Sequence, residues 1–120
     1  MVIGNIFEKS GFDVRYCTSQ WRIALHSYNM AVNSMEALKS WGVHWDSEEG
    51  FFLLNGNATL LTITDNKVTK YQLLKETFCI VEKGEWHAIV LEPDSEVLII
   101  ENADMSQSET IPIGQNFVIQ

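Results

Sequence analysis

Two histidines and one glutamate are spaced so that a single divalent cation would satisfy all three. His44 and Glu49 lie in the segment Gly42-Val43-His44-Trp45-Asp46-Ser47-Glu48-Glu49-Gly50-Phe51-Phe52-Leu53-Leu54-Asn55-Gly56, on two strands either side of a tight loop. His87 ends the segment Lys83-Gly84-Glu85-Trp86-His87 and opens another strand. Two imidazoles and one carboxylate on one face suit Fe(II), Mn(II), Ni(II) or Zn(II) and leave coordination positions open for a substrate. In an oxygenase those positions would take substrate and dioxygen; in an isomerase or lyase the ion would polarise a carbonyl. Without an ion the same groups can satisfy one another, His44 and His87 each pairing with Glu49. The residue types alone leave both readings open.

A second tier of residues would bind rather than ligate. Arg22 and His26 alternate with Ala24 on one face of a strand, opposite Trp21, Ile23 and Leu25. A polar strand face ordinarily meets water, so both are expected to face solvent. Turned inward instead, they would meet an anionic ligand at the mouth of a pocket, Arg22 by a bidentate contact with a carboxylate. Trp41, Trp45 and Trp86 lie close in sequence to the candidate ligands. Trp86 is a candidate to stack on a ligand or close the pocket, and packing within the core is the alternative for all three rings.

The elements that must position these groups are strands. Phe12 to Cys17, Gln20 to Tyr28 and the stretch from Phe51 to Glu101 read as short alternating or wholly apolar runs with turn signals between them. Asn55-Gly56 predicts a type I′ hairpin joining Phe51–Leu54 to Ala58–Thr64. Asp65-Asn66-Lys67 predicts a second turn, and Glu92-Pro93-Asp94-Ser95 a type I turn. Phe51–Leu54 and Leu98–Ile100 are apolar on both faces, which places them centrally with cover on each side. Ser34 would cap a short helix carrying Met35, Leu38 and Trp41, at most one helical element. Residues 102–116 read as loop and Phe117–Ile119 as a terminal strand. The parity of the strands puts Glu49, Phe51 and Leu53 on one face, and His87, Ile89 and Leu91 on another. If both faces turn inward, the three ligands stand at one end of an apolar cavity suited to a small molecule.

The bulk properties set bounds. The 120 residues suit one domain, 46% hydrophobic content implies a packed core, and the formal net charge is −8. So acidic a chain, with no basic cluster, is a poor match for nucleic acid or anionic lipid. No apolar run is long enough to span a bilayer. The first residues lack the basic start and apolar stretch of a secretory signal. Cys17 and Cys79 lack metal-clip spacing and are expected to be reduced core residues, which fits a cytoplasmic protein.

With these residues in view, the chain resembles the cupin superfamily. The first cupin motif runs from two histidines to a glutamate and then a glycine; His44 matches the second histidine, Glu49 the glutamate and Gly56 the glycine, with both spacings kept. Gly42 stands where the first histidine would be. In the second motif Gly84 and His87 match, Glu82 replaces a proline and Leu91 an asparagine. Trp21–Ala24 and Val97–Asn102 add a narrower similarity to small bacterial single-domain cupins of no assigned activity. The resemblance implies one all-β cupin domain over residues 1–120, a double-stranded β-helix of two antiparallel sheets, with the motif core at about 40–102. It implies a barrel that binds a small molecule, either through a metal on His44, Glu49 and His87 or as a metal-free binding or structural cupin. An enzymatic member would be an isomerase or epimerase, a lyase or a dioxygenase. It also implies a homodimer, with 1–10 and 117–120 as candidate contact segments.

Overall fold

A computed structural model describes residues 1–4, 10–114 and 118–119. The strands are β1 (Gly11–Cys17), β2 (Trp21–Ser27), β3 (Ser40–His44), β4 (Glu49–Asn55), β5 (Ala58–Thr64), β6 (Lys67–Gln72), β7 (Cys79–Val81), β8 (His87–Leu91), β9 (Glu96–Asn102), β10 (Ser108–Pro112) and β11 (Val118–Ile119). They form a five-stranded sheet, β1-β2-β9-β4-β7, and a six-stranded sheet, β10-β3-β8-β5-β6-β11. Pairing is antiparallel except between β11 and β6, which run parallel. Phe117 and Gln120, and residues 5–9 of the other segment expected to make dimer contacts, lie outside the described residues.

Alternation explains the layers. Ala24, Phe51, Leu60, Leu91, Val97 and Ile99 turn into the space between the sheets and form the main core. Their neighbours one residue away point outward. On the six-stranded sheet, Leu61, Val90 and Trp41 join Val68 in a second cluster, packed by Leu38, Trp86 and Ile113. On the five-stranded sheet the outward residues Trp21, Ile80 and Ile100 are substantially exposed. β4 and β9 are interior strands as expected, but their outer face is not fully covered.

Several local expectations are corrected. No helix forms among the described residues. The Ser34 hydroxyl does accept the Ala37 N–H at 3.1 Å, but the chain makes only turns there and Trp41 belongs to β3. Asn55-Gly56 is not a hairpin: β4 and β5 lie in different sheets, and the turn is a corner between layers. Gly56 alone has positive φ there, at 79°. The turn with two positive-φ residues, as type I′ requires, is Asp65-Asn66 between the paired strands β5 and β6. Asp94, at φ 63° after Pro93, gives the second corner type II rather than type I geometry. The stretch 102–116 contains β10, whose polar residues and terminal proline are tolerated because it is an edge strand. Both cysteines are free, but Cys17 is exposed and is not a core residue.

Candidate metal centre

His44 ends β3, Glu49 begins β4 and His87 begins β8. The loop between the first two is pinned to the end of β9. The Asn102 N–H donates to Ser47 Oγ at 2.9 Å, and the Asn102 amide donates to the Asp46 carbonyl at 2.8 Å. Gly84, at φ 78°, brings its N–H to the His44 carbonyl at 2.9 Å and so sets the entry to β8. Gly42 pairs with His87 across β3 and β8.

These constraints bring the three groups together. Glu49 Oε1 lies 3.2 Å from His44 Nε2 and 2.9 Å from His87 Nε2. One ligand atom from each residue falls within 4.8 Å of the others. Both imidazoles are fixed from behind. His87 Nδ1–H donates to the Glu85 carbonyl at 2.9 Å, and His44 Nδ1 lies 2.7 Å from the Ser108 hydroxyl. Holding a ring at Nδ1 so that Nε2 faces the site is how metal-binding histidines are usually oriented. The donor set therefore fits a divalent ion. The fourth motif position contributes nothing at Gly42, although a Cβ there would come no closer than 4.0 Å to another residue.

A polar row crosses the five-stranded sheet behind the triad. Glu49 on β4 is in register with Glu101 on β9, and Glu101 with Arg22 on β2. Arg22 Nε donates to Glu101 Oε2 at 2.6 Å, and Arg22 Nη2 contacts the same oxygen. Burial alone would raise the Glu49 pKa, but hydrogen bonds from His44, His87 and Glu101 outweigh it and hold the carboxyl far below its ordinary range. Glu101 goes the other way: burial, then the hydrogen bond and charge of Glu49, push it up to about 7 against the pull of Arg22. Burial disfavours charge on His87, yet the Glu49 carboxylate and the Glu85 carbonyl prevail and its pKa is raised.

These shifts set the pH response of the metal-free protein. Between the ordinary carboxylate value and about 7, folded Glu101 keeps a proton that the unfolded chain releases. Its stabilisation is complete below the ordinary value and is lost as pH rises through 7. His87, also raised, loses its contribution in the same direction, whereas the depressed Glu49 loses its contribution only on acidification. Denaturant-measured stability of the metal-free protein is therefore expected to fall from pH 6 to pH 8. Glu101→Gln keeps an acceptor for Arg22 and a donor for Glu49 without titrating, and should flatten that fall by on the order of 1 kcal/mol. Parallel profiles for parent and variant would contradict this.

A cavity of about 160 Å³ opens on the triad, walled by Phe12, His26, His44, Glu49, Phe51, His87, Ala88, Ile89 and Ile99. The inward parity expected for Glu49, Phe51, His87 and Ile89 holds. The solvent-facing expectation for Arg22 and His26 is overturned: their face turns inward with Ala24, because each finds a buried partner, Glu101 for Arg22 and Asn33 for His26. His26 borders the cavity, while Arg22 is engaged with Glu101 and lies over the Phe12 ring at 5.5 Å. Trp86 is not among the cavity walls; its ring meets Trp45 edge-on at 6.0 Å on the outside of the six-stranded sheet. Sequence reasoning missed Glu101 and Ser108. The signal for Glu101 was present, since Val97, Ile99 and Glu101 share the buried face of β9.

Comparison with known structures decides what this architecture is. The chain superposes on a cupin-2 domain protein from Shewanella frigidimarina with a TM-score of 0.60, at 17% identity over 81% of this chain and 85% of the other. The chain has the cupin fold. It is also similar to a cupin superfamily protein from Desulfitobacterium hafniense (TM-score 0.58, 17% identity, 82% and 84% covered). The chain is similar in structure, too, to Pac13, a nucleoside dehydratase (TM-score 0.64, 8% identity, 94% and 88% covered). No protein-family model and no curated protein matches the chain by sequence. Identities this low establish the fold and not the reaction, since cupin architecture hosts many sites.

Proposed function

We propose that this chain is a single-domain, small-molecule-binding cupin whose ligand is held in the interior cavity through a divalent metal on His44, Glu49 and His87. The observation that carries this reading is the convergence of Nε2, Oε1 and Nε2 within 4.8 Å, with each imidazole oriented from its Nδ1 side. Fe(II), Mn(II), Ni(II) and Zn(II) all suit the donor set. When bound, such an ion would supply Lewis-acid polarisation of a ligand oxygen. Around it, His26 and Phe51 would shape the ligand, and Arg22 would act through Glu101 to hold Glu49 in place. The cavity is small beside a drug-sized site, so the part of the ligand seated on the triad is compact.

A metal-free binding cupin is the second reading, and one observation favours it: the Glu49 carboxylate already accepts from both imidazoles. Proton release separates the two. In the metal-free protein His87 donates from Nδ1 to Glu85 and faces Glu49 with Nε2, so its ring holds both protons. Binding a cation at Nε2 must expel one of them. Titration of chelator-treated protein with Zn(II) in buffers of different ionisation heat, near pH 6.5, is expected to show one saturable site with net proton release. Absence of a site, or binding without proton release, would count against the three-ligand centre.

The free cysteines suit a reducing, cytoplasmic setting. The exposed outer residues Trp21, Ile80 and Ile100 of the five-stranded sheet favour a homodimer. No helix among the described residues is long and apolar enough to cross a membrane.

A further inference from the structure

The two sheets treat their outer faces differently. Outside the six-stranded sheet, Leu38, Trp86 and Ile113 pack over Trp41, Leu61 and Val90. Outside the five-stranded sheet the corresponding side chains stay open: Trp21, Ile80 and Ile100 are 41%, 44% and 38% exposed. They belong to one surface. Ile23 on β2, Ile100 on β9, Gly50 on β4 and Ile80 on β7 stand in a single register row. Each lies one residue from a side chain of the core, Ala24, Ile99, Phe51 and Val81 in turn. Phe78, also exposed, extends the patch by meeting the Phe52 ring at 6.0 Å.

Gly50 gives this face its shape. Ile80 and Phe52 lean over it, so that a Cβ there would lie 3.3 Å from Ile80 Cδ1 and 3.4 Å from the Phe52 ring. The bare backbone floors a hollow of about 390 Å³ whose apolar walls include Trp21 and Ile100. The face therefore carries both ridges and a hollow, which a surface needs in order to fit a copy of itself. Strand spacing and rise make it about 20 Å by about 23 Å, or about 900 Å² in plan for two copies. Side-chain relief carries the accessible area past the roughly 1,000 Å² that a specific interface needs.

Charge points to the same occupant. The chain has a formal net charge of −8, so two copies repel one another wherever acids are in excess. The register row is uncharged. At the rim of the hollow one acid, Glu48, is matched by one base, Lys83, and Glu101 is already engaged by Arg22. Among the described residues neither Glu48 nor Lys83 makes an ion pair. Both stand at one end of the sheet, since Glu49 pairs with Val81. A two-fold axis along the strands lays that end of one copy on the same end of the other, where each Lys83 faces Glu48 of the second copy.

We propose that this face binds a second copy of the chain, the two five-stranded sheets stacking back to back with Trp21, Ile80 and Ile100 in the seam and Lys83–Glu48 pairs at its rim. This rests on the homodimer reading above and assigns its surface. The seam runs beside the loop that Asn102 pins through Ser47 and Asp46, so the dimer also braces the start of β4 and with it Glu49.

Sedimentation velocity of the full chain across a concentration series is expected to show a dimer. Ile100→Asp, which sets two like charges near the axis, should raise the dissociation constant at least ~thirtyfold. Lys83→Glu changes only an exposed side chain, so it tests the face even if Ile100→Asp fails to fold. It should raise the constant about tenfold at low salt, and adding Glu48→Lys should restore the parent value. Ile111→Asp, at an exposed isoleucine of β10 outside the face, is the control and should leave the dimer intact. Circular dichroism checks that each variant is folded. A parent that stays monomeric would overturn this proposal together with the homodimer reading. A parent dimer whose dissociation constant is unmoved by Ile100→Asp and by Lys83→Glu would overturn the face and keep the homodimer.

Discussion

Replacing Glu49 by glutamine is expected to lower Zn(II) affinity by more than about a hundredfold, since loss of a group that merely supports a ligand already costs ten- to a hundredfold. Glu49 is the only carboxylate of the triad and the group on which both imidazoles converge. Its hydrogen bonds keep it ionised well into acid, so it needs no deprotonation to receive a cation. Glutamine keeps the size and one acceptor oxygen, and the far-ultraviolet circular dichroism should be unchanged. The variant therefore isolates charge and donor strength from fold. The measurement is calorimetric titration of parent and variant with Zn(II), and equal affinities would mean that Glu49 is a structural partner of the two histidines and no ligand.

The largest effect on stability is expected at Gly56. This residue turns the chain from the five-stranded into the six-stranded sheet at φ 79°. A Cβ there would lie 2.7 Å from Ser95 Cα and would overlap the Ser95 side chain. Ser95 cannot yield: it is 1% exposed, and its hydroxyl accepts the Asn57 N–H at 2.8 Å. The two corners of the barrel therefore meet at this contact. Gly56→Val combines a left-handed backbone penalty with a clash against main chain. It is expected to cost about 3 kcal/mol or more, roughly 10 °C in Tm for a chain of this size. Gly4→Ala, where an added Cβ meets nothing within 4 Å among the described residues, is the control and should be neutral. Denaturant unfolding of the pair decides the matter, and a Gly56→Val variant as stable as the parent would show that the corner relaxes.

How much of this was legible in the sequence depends on the physics involved. Parity along a strand is local, so the convergence of Glu49, Phe51, His87 and Ile89 on one interior could be read from spacing. Which strands pair is not local. Asn55-Gly56 advertised a turn correctly, but nothing within it says whether the flanking strands share a sheet. The facing of β2 was misread for a related reason. A polar stripe points to water unless distant residues satisfy it, and the partners of Arg22 and His26 are Glu101, far along the chain, and Asn33, in the turn after β2. β10 escaped notice because an edge strand need not be apolar. With it went Ser108, which orients His44. Glu101 was hidden in plain view: an acid at the end of an apolar strand reads as its solvated terminus until the register puts it beside Glu49.

The proposed centre is a metal held by His44, Glu49 and His87. Its most direct test is the metal content, by mass spectrometry, of protein purified without chelator or polyhistidine tag, beside His87→Ala. Near-stoichiometric divalent metal is expected in the parent, with its loss from a variant that remains folded. No metal in the parent, even after supplementation with Fe(II), Mn(II), Ni(II) and Zn(II), would contradict it and leave the two histidines and Glu49 as a self-satisfied cluster in a metal-free cupin.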